Sequence, residues 1–137
     1  MHIATNSEII DISLEVKTAE LAKKFSKLLK KGDIVFFHGE IGVGKTTFIR
    51  HLVNHLQAKN RLNPTEVTSP TFNLVNEYDV GIFIIQHYDL YRLKSSDETK
   101  NNKIDNKIDL FFEYSEDMKK RFLSIKGLNK KSLNEIN

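Results

Sequence analysis

The stretch that decides the fold is Gly39-Glu40-Ile41-Gly42-Val43-Gly44-Lys45-Thr46, which satisfies the pattern G-x-x-x-x-G-K-[ST] at every fixed position. Four apolar residues precede it, Ile34-Val35-Phe36-Phe37, and apolar side chains recur at helical spacing after it. A strand, a glycine-rich loop and a helix in this order are typical of a phosphate-binding loop. The glycines let the backbone curl until its N–H groups point inward, and the N-terminus of the helix adds partial positive charge.

The loop predicts a nucleotide site with ATP and Mg²⁺ as its ligands. The ammonium group of Lys45 should reach the β- and γ-phosphate oxygens, and the hydroxyl of Thr46 should ligate Mg²⁺. Backbone contacts to phosphate are expected along the rest of the loop, at Gly39, Ile41, Gly42, Val43 and Gly44. The alternative is a glycine-rich turn without a ligand, but such a turn has no need of Lys-Thr at the start of a helix.

The composition bounds the rest of the chain. Of its 137 residues, 39% are hydrophobic and 28% are charged, as expected for one globular domain over residues 1–137. The sequence contains no cysteine, which excludes disulfides, zinc–thiolate sites and thiol catalysis, and we expect a reducing, cytoplasmic setting. No apolar run is long enough to cross a membrane. The net charge of +3 fits loose attraction to nucleic acid or to an acidic partner and demonstrates neither.

The remaining periodicity predicts an α/β domain. A short strand is expected over residues 9–14, followed by a helix over residues 18–29 with Thr18 as its N-cap. Residues 72–78 and 82–88 are strand candidates joined by a turn. Helices that alternate with strands around the glycine loop indicate a P-loop fold, with a mostly parallel sheet flanked by helices.

The last third of the chain has a different pattern. Residues 94–109 are rich in Lys, Asn and Asp, so we expect a polar, solvated or disordered connection there. Beyond it, apolar side chains alternate with other residues in two segments, 108–114 and 121–125. This alternation predicts a β-hairpin at the C-terminal end of the fold.

Asp89 is the predicted catalytic carboxylate. It follows the apolar run 82–88, and open α/β sheets bind ligands at the carboxyl ends of their parallel strands. There a carboxylate can hold a magnesium-bound water or orient the attacking water. The alternative is an Asp that caps a helix or a turn. The polar pair Gln86-His87 departs from the apolar pattern of a Walker B strand, and we interpret His87 as a packed strand residue.

A second hydroxyl-bearing loop follows the phosphate-loop helix. Ser69-Pro70-Thr71-Phe72 ends a polar segment, and the hydroxyls of Ser69 and Thr71 are candidates for sensing the γ-phosphate in the manner of a switch segment. Ser-Pro-Thr is common loop material, so this hypothesis depends on its context.

Three segments together resemble the TsaE family, the P-loop ATPases of bacterial tRNA threonylcarbamoyladenosine biosynthesis. They are residues 39–47, Ser69-Pro70-Thr71-Phe72-Asn73-Leu74-Val75-Asn76-Glu77-Tyr78, and His87-Tyr88-Asp89-Leu90-Tyr91-Arg92-Leu93. Their order and spacing are far more specific than the phosphate loop by itself, and the resemblance covers about residues 8 to 93.

The resemblance implies an ATPase that assists a partner protein complex in modifying the adenosine next to the anticodon of tRNAs that read codons starting with A. The partners are then the other proteins of the bacterial tRNA threonylcarbamoyl-transferase complex, with tRNA an indirect partner and no role for a membrane. Residue by residue, the resemblance implies phosphate and Mg²⁺ contacts for Lys45, Thr46 and Thr47. It also implies a position near the adenine for Thr18, a switch-type loop at residues 69–72, and a water-positioning carboxylate at Asp89.

The chain departs from the family pattern after residue 93. The family has a helix and then a strand that ends in Glu-Trp-Pro, whose glutamate completes the magnesium site, but this chain has no tryptophan. In one alignment Glu113-Tyr114-Ser115-Glu116 replaces that motif, and Glu113 is the second magnesium ligand. In the alignment that we favour, residues 110–114 and 121–126 match the family's later hairpin and the Glu-Trp-Pro strand is missing. We then expect weak or absent hydrolysis with some nucleotide affinity retained.

Two other functions share the phosphate loop. A small-molecule kinase needs a substrate-binding insert and a lid rich in arginine, whereas this chain has four arginines and no cluster of them. A shortened nucleotide-binding module, or a remnant of the ATPase that no longer hydrolyses ATP, fits the polar stretch 94–109.

Overall fold

A computed structural model of the chain describes residues 7–40, 42–68, 75–88 and 107–136. Its elements, in chain order, are β1 (Ile10–Asp11), α1 (Glu15–Ser26), β2 (Ile34–His38), α2 (Lys45–Lys59), β3 (Val75–Asp79), β4 (Ile84–Tyr88), β5 (Lys107–Tyr114), β6 (Arg121–Lys126) and α3 (Lys130–Ile136). Within these described ranges, no helix is both long and apolar enough to cross a membrane.

The main sheet places the phosphate-loop strand beside the C-terminal hairpin. In the described residues its strand order is β1-β6-β5-β2. β2 runs parallel to β5, with Phe37 opposite Leu110, whereas the β5–β6 and β1–β6 pairs are antiparallel. The α/β fold and the C-terminal hairpin are confirmed. The described strands correct the expectation of a mostly parallel sheet, because strands joined by a tight turn must run antiparallel and the hairpin supplies half of this sheet.

β3 and β4 form a two-stranded antiparallel sheet of their own, with Tyr78 opposite Ile85. Gly81, at φ +97°, lies in the short turn between them, and the Val80 N–H donates to the carbonyl of Phe83 across that turn. So short a connection permits only antiparallel pairing. The strand before Asp89 therefore pairs with β3 in the described structure, not in parallel with the main sheet. Asp89 itself lies outside the described residues.

Helix α1 starts three residues before its predicted start. Leu14 occupies the N-cap position, Glu15 lies in the first turn where its charge suits the helix dipole, and Thr18 is buried inside the helix. The prediction of Thr18 as N-cap is therefore wrong. Its residue type suits a cap, but burial of the helix face that carries Thr18, Leu21 and Phe25 decides where the helix lies.

The C-terminal hairpin belongs to the core. Leu110, Leu123 and Ile125 have no exposed surface, and Phe112 packs against Phe37 and Phe48. Inward and outward side chains alternate along β5 as predicted. The strand begins at Lys107, so the polar connection expected over residues 94–109 does not include residues 107–109. The physical reason is that Ile108 is buried and pairs with Val35.

The short helix α3 was not predicted. It packs against α1 and contributes buried side chains to the core at Leu133 and Ile136. The Asn129 side chain accepts a hydrogen bond from the Ser132 N–H at 2.8 Å, which satisfies one of the donors at the start of the helix. Seven residues give too short a periodic pattern to distinguish a helix from a loop in the sequence.

Candidate functional site

The phosphate loop joins the end of β2 to the start of α2. Gly44, at φ +114°, holds the N-cap position, and no side chain of the described residues caps the helix. The first N–H groups of α2 are thus presented at the loop, as an anion site requires. Gly39 lies at φ +149°, where a Cβ atom would be 2.7 Å from the carbonyl oxygen of Phe112. Only glycine fits at that position.

Two predicted ligand-binding side chains begin helix α2. The ammonium group of Lys45 donates to the carbonyl oxygen of Gly39 at 2.6 Å, so the side chain reaches back to the first residue of the loop. Thr46 follows in the first turn of the helix. The structure therefore brings together the described members of the predicted phosphate site, which are Gly39, Gly42, Val43, Gly44, Lys45, Thr46 and Thr47. Ile41 lies outside the described residues.

Beyond the contact between Phe112 and Gly39, the C-terminal hairpin approaches the loop near Gly42 and Gly44. The Tyr114 hydroxyl donates to the carbonyl oxygen of Gly42 at 2.8 Å. The Arg121 guanidinium donates to the carbonyl oxygen of Ser13 at 3.2 Å. The same guanidinium lies close to Gly44, because a Cβ atom added to that glycine would be 3.6 Å from it. Tyr114 and Arg121 face each other across the two strands of the hairpin. Sequence reasoning included Tyr114 only in the stretch that replaces Glu-Trp-Pro in one alignment, and it gave Arg121 no role in the site. The alternation along β5 also placed Tyr114 on the inner face.

A cavity of about 410 Å³ lies between the loop and the hairpin. Its walls include Glu40 and Val43 from the loop and Glu113, Tyr114 and Glu116 from the hairpin. Within the described ranges, no three His, Asp or Glu side chains come together as a set that could hold a metal ion. The pairing of Glu113 with Thr46 as magnesium ligands therefore stays a prediction.

His38 fixes the end of β2 immediately before the loop. Its Nε2 atom lies 2.8 Å from a carboxylate oxygen of Asp109, and its ring stacks on Phe111 with the centroids 4.6 Å apart. Both partners belong to β5. The pair thus ties the parallel strands β2 and β5 together at the point where the chain turns into the phosphate loop.

The far end of α2 anchors the segment that leads to the predicted switch loop. The buried Gln57 side chain donates to the Thr65 hydroxyl at 2.8 Å and to the carbonyl oxygen of Asp79 at 3.1 Å, and it accepts from the Thr65 N–H. The Tyr78 hydroxyl lies within hydrogen-bond distance of the Thr68 backbone. The chain is therefore held on α2 and on the β3–β4 hairpin as far as residue 68.

The remaining predicted site residues are not tested by the structure. Ser69, Thr71 and Asp89 lie outside the described residues. Thr18 is buried in α1, and its position near an adenine stays a prediction.

Comparison with known proteins identifies related chains. The model of the family "Threonylcarbamoyl adenosine biosynthesis protein TsaE" matches residues 12–135. A protein of Rickettsia felis named tRNA threonylcarbamoyladenosine biosynthesis protein TsaE is 46% identical over 84 residues, which are 61% of this chain and 47% of that protein. The protein of the same name from Aquifex aeolicus is 42% identical over 83 residues, which are 61% of this chain and 60% of that protein. The one from Bacillus subtilis is 33% identical over 82 residues, which are 60% of this chain and 49% of that protein.

One solved structure has a similar fold. The crystal structure of YdiB from Bacillus subtilis superposes with a TM-score of 0.69 over 98% of this chain and 94% of that chain, at 18% sequence identity. This likeness concerns the fold alone. The chain spans about half the length of the curated relatives that it matches, for example 47% of the Rickettsia felis protein.

Proposed function

The chain belongs to the TsaE family of threonylcarbamoyl adenosine biosynthesis proteins, and we propose that it binds ATP with Mg²⁺ at residues 39–46 and hydrolyses it in support of that biosynthesis. The observation that carries the proposal is the geometry of the loop. Glycine backbone, the N-terminus of α2 and the ammonium group of Lys45 converge there, and Gly39 is packed so closely that a Cβ atom would not fit.

Each side chain has a stated role in the proposal. The ammonium group of Lys45 neutralises the β- and γ-phosphate oxygens. The hydroxyl of Thr46 is an oxygen ligand, the kind that Mg²⁺ prefers. When bound, Mg²⁺ supplies neutralisation of the phosphate charge. Asp89 orients the attacking water, and Ser69 and Thr71 respond to the γ-phosphate. Thr18 lies on the adenine side.

The proposed partners are the other proteins of the tRNA threonylcarbamoyl-transferase complex, with tRNA as an indirect partner and the cytoplasm as the place of action. Three relatives that carry the name of this biosynthesis support the assignment. ATP turnover serves the partner complex, and this chain performs no chemistry on RNA.

A second candidate is a shortened module that binds nucleotide without hydrolysing it. One observation favours it: the chain contains no tryptophan, so the family's Glu-Trp-Pro motif is not intact.

Calorimetry with magnesium-ADP and magnesium-ATP tests the binding step. Lys45→Ala should weaken binding by roughly ten- to a hundredfold, because a hydrogen bond to a charged group contributes about 1.5–3 kcal/mol. Lys59→Ala is the matched control, since Lys59 is exposed at the other end of the same helix and should bind as wild type does. Wild-type protein that gives no heat with either nucleotide would overturn the proposal.

An ATP hydrolysis assay with the partner complex then separates the two candidates. Turnover that is lost in both Lys45→Ala and Asp89→Ala supports the ATPase. Nucleotide binding without turnover supports the shortened module.

A further inference from the structure

We propose that Tyr114, at the end of β5, is a positioning residue that sets the shape of the phosphate loop for nucleotide binding. The inference rests on the proposed function and adds to it a residue from outside the motif. Its starting point is the 2.8 Å hydrogen bond from the Tyr114 hydroxyl to the carbonyl oxygen of Gly42, in the middle of the loop.

The bond fixes the orientation of one peptide plane. In a trans peptide the carbonyl oxygen of Gly42 and the N–H of Val43 point in opposite directions. With the carbonyl held on the hairpin side, the Val43 N–H is held on the other side. There it makes a long contact of 3.3 Å with the carbonyl oxygen of Glu40. A phosphate oxygen is a charged and therefore stronger acceptor for this N–H.

The peptide plane needs an external support because glycine does not provide one. Gly42 lies at φ +84°, and a residue without a Cβ atom turns between several backbone conformations at little cost. A rotated plane would aim the Gly42 carbonyl oxygen, rather than an N–H group, at the anion. The Tyr114 hydroxyl opposes this rotation.

Tyr114 is itself firmly placed. Phe112, two residues earlier on the same face of β5, is buried in the core, and the strand continues to its last residue in register with β6. Opposite Tyr114, the Arg121 backbone N–H donates to the Ser13 hydroxyl at 3.0 Å, and its guanidinium donates to the Ser13 carbonyl. The phenol ring has few rotatable bonds, so its hydroxyl transmits the position of the sheet to the loop.

Tyr114→Phe tests the inference because it keeps the ring and its packing and removes the hydroxyl. The matched control is Ser124→Ala, which removes a hydroxyl from the outward side of β6 in the same hairpin, between the buried residues Leu123 and Ile125. Tyr114→Phe should bind magnesium-ADP about three- to tenfold more weakly than wild type. Ser124→Ala should bind as wild type does.

Amide hydrogen exchange in the ligand-free protein gives a second readout that does not depend on binding. Tyr114→Phe should accelerate exchange at Val43 and Gly44 and leave the middle of α2 unchanged, whereas general destabilisation would accelerate both. Unchanged affinity and unchanged exchange at the loop in Tyr114→Phe would overturn this inference and leave the proposed function standing. A wild-type protein that binds no nucleotide would instead overturn the proposed function.

Discussion

The phosphate loop and the C-terminal hairpin meet in space but differ in how the chain encodes them. The loop is eight consecutive residues, and each of its fixed positions has a chemical task that the sequence displays. The hairpin reaches the same place from 72 positions further along the chain and contacts the loop through Tyr114, which is not part of the phosphate-loop motif. The groups of residues 39–46 that are expected to hold the phosphates are therefore local in sequence, while the hairpin groups that support them are brought in by strand pairing.

If the C-terminal hairpin supports the phosphate loop structurally, the largest loss of stability should follow from substitutions on the buried face of the hairpin. Leu110→Ala should lower the free energy of unfolding by about 2–5 kcal/mol, because the side chain is fully buried between Phe37 and Ile125 in the sheet register. Ser124→Ala, on the outward side of β6, should change it by less than about 0.5 kcal/mol. Urea unfolding measures both, and equal effects of the two variants would contradict the assignment.

The close contact between loop and hairpin can be isolated with two glycines. Gly39→Ala and Gly32→Ala both place a Cβ atom on a residue with positive φ, but the Cβ at 39 meets the Phe112 carbonyl at 2.7 Å whereas the one at 32 meets no atom within 4 Å. Gly39→Ala should therefore lower the free energy of unfolding by about 1–3 kcal/mol more than Gly32→Ala does. Thermal unfolding of the two variants checks this difference. If Gly32→Ala lowers the free energy of unfolding as much as Gly39→Ala does, the close approach of Gly39 to Phe112 has no effect on stability.

A smaller effect is expected where the two regions are joined before the loop. His38→Gln should cost about 0.5–1.5 kcal/mol of unfolding free energy, since it disturbs the hydrogen bond to Asp109 and the stacking on Phe111. A double-mutant cycle with Asp109→Asn measures the coupling. Strictly additive effects of the two substitutions would mean that the pair does not stabilise the β2–β5 junction.

The smallest effect belongs to the end of α2 that is remote from both regions. Burial, and then the positive charges of Lys23, Lys59 and Lys27, hold the pKa of His55 below its ordinary value of 6.5. The unfolded chain therefore binds this proton more readily than the folded protein does, and His55 lowers stability as the pH falls below 6.5. As the pH falls below 6.5, the free energy of unfolding should decrease less for His55→Gln than for the wild type. Above pH 6.5, the two proteins should show the same pH dependence. Identical pH profiles in urea unfolding would contradict the assignment.

Much of the fold follows from local patterns, and the exceptions have identifiable causes. The alternation of Leu110 and Phe112 predicted the hairpin because one face of each strand is buried. The start of α1 was misplaced because Thr18 is a good cap by residue type, although the buried helix face includes it. The share of parallel strand pairs was overestimated because the order of strands in the sequence does not determine which strands become neighbours in the sheet.

The same limit applies to the site. Gly39, Lys45 and Thr46 were predictable because their spacing is dictated by one ligand. Tyr114 was not, since its task depends on the register between β5 and β2 and on a backbone carbonyl that has no signature in the sequence.

The central claim is that the backbone of residues 39–46 holds the phosphates of a nucleotide, and an NMR titration of the ¹⁵N-labelled protein with magnesium-ADP tests it most directly. The account predicts large shifts of the Gly44, Lys45 and Thr46 amide resonances, with the Ser132 amide in α3 unchanged. Resonances of the loop that stay in place at saturating nucleotide would contradict the account.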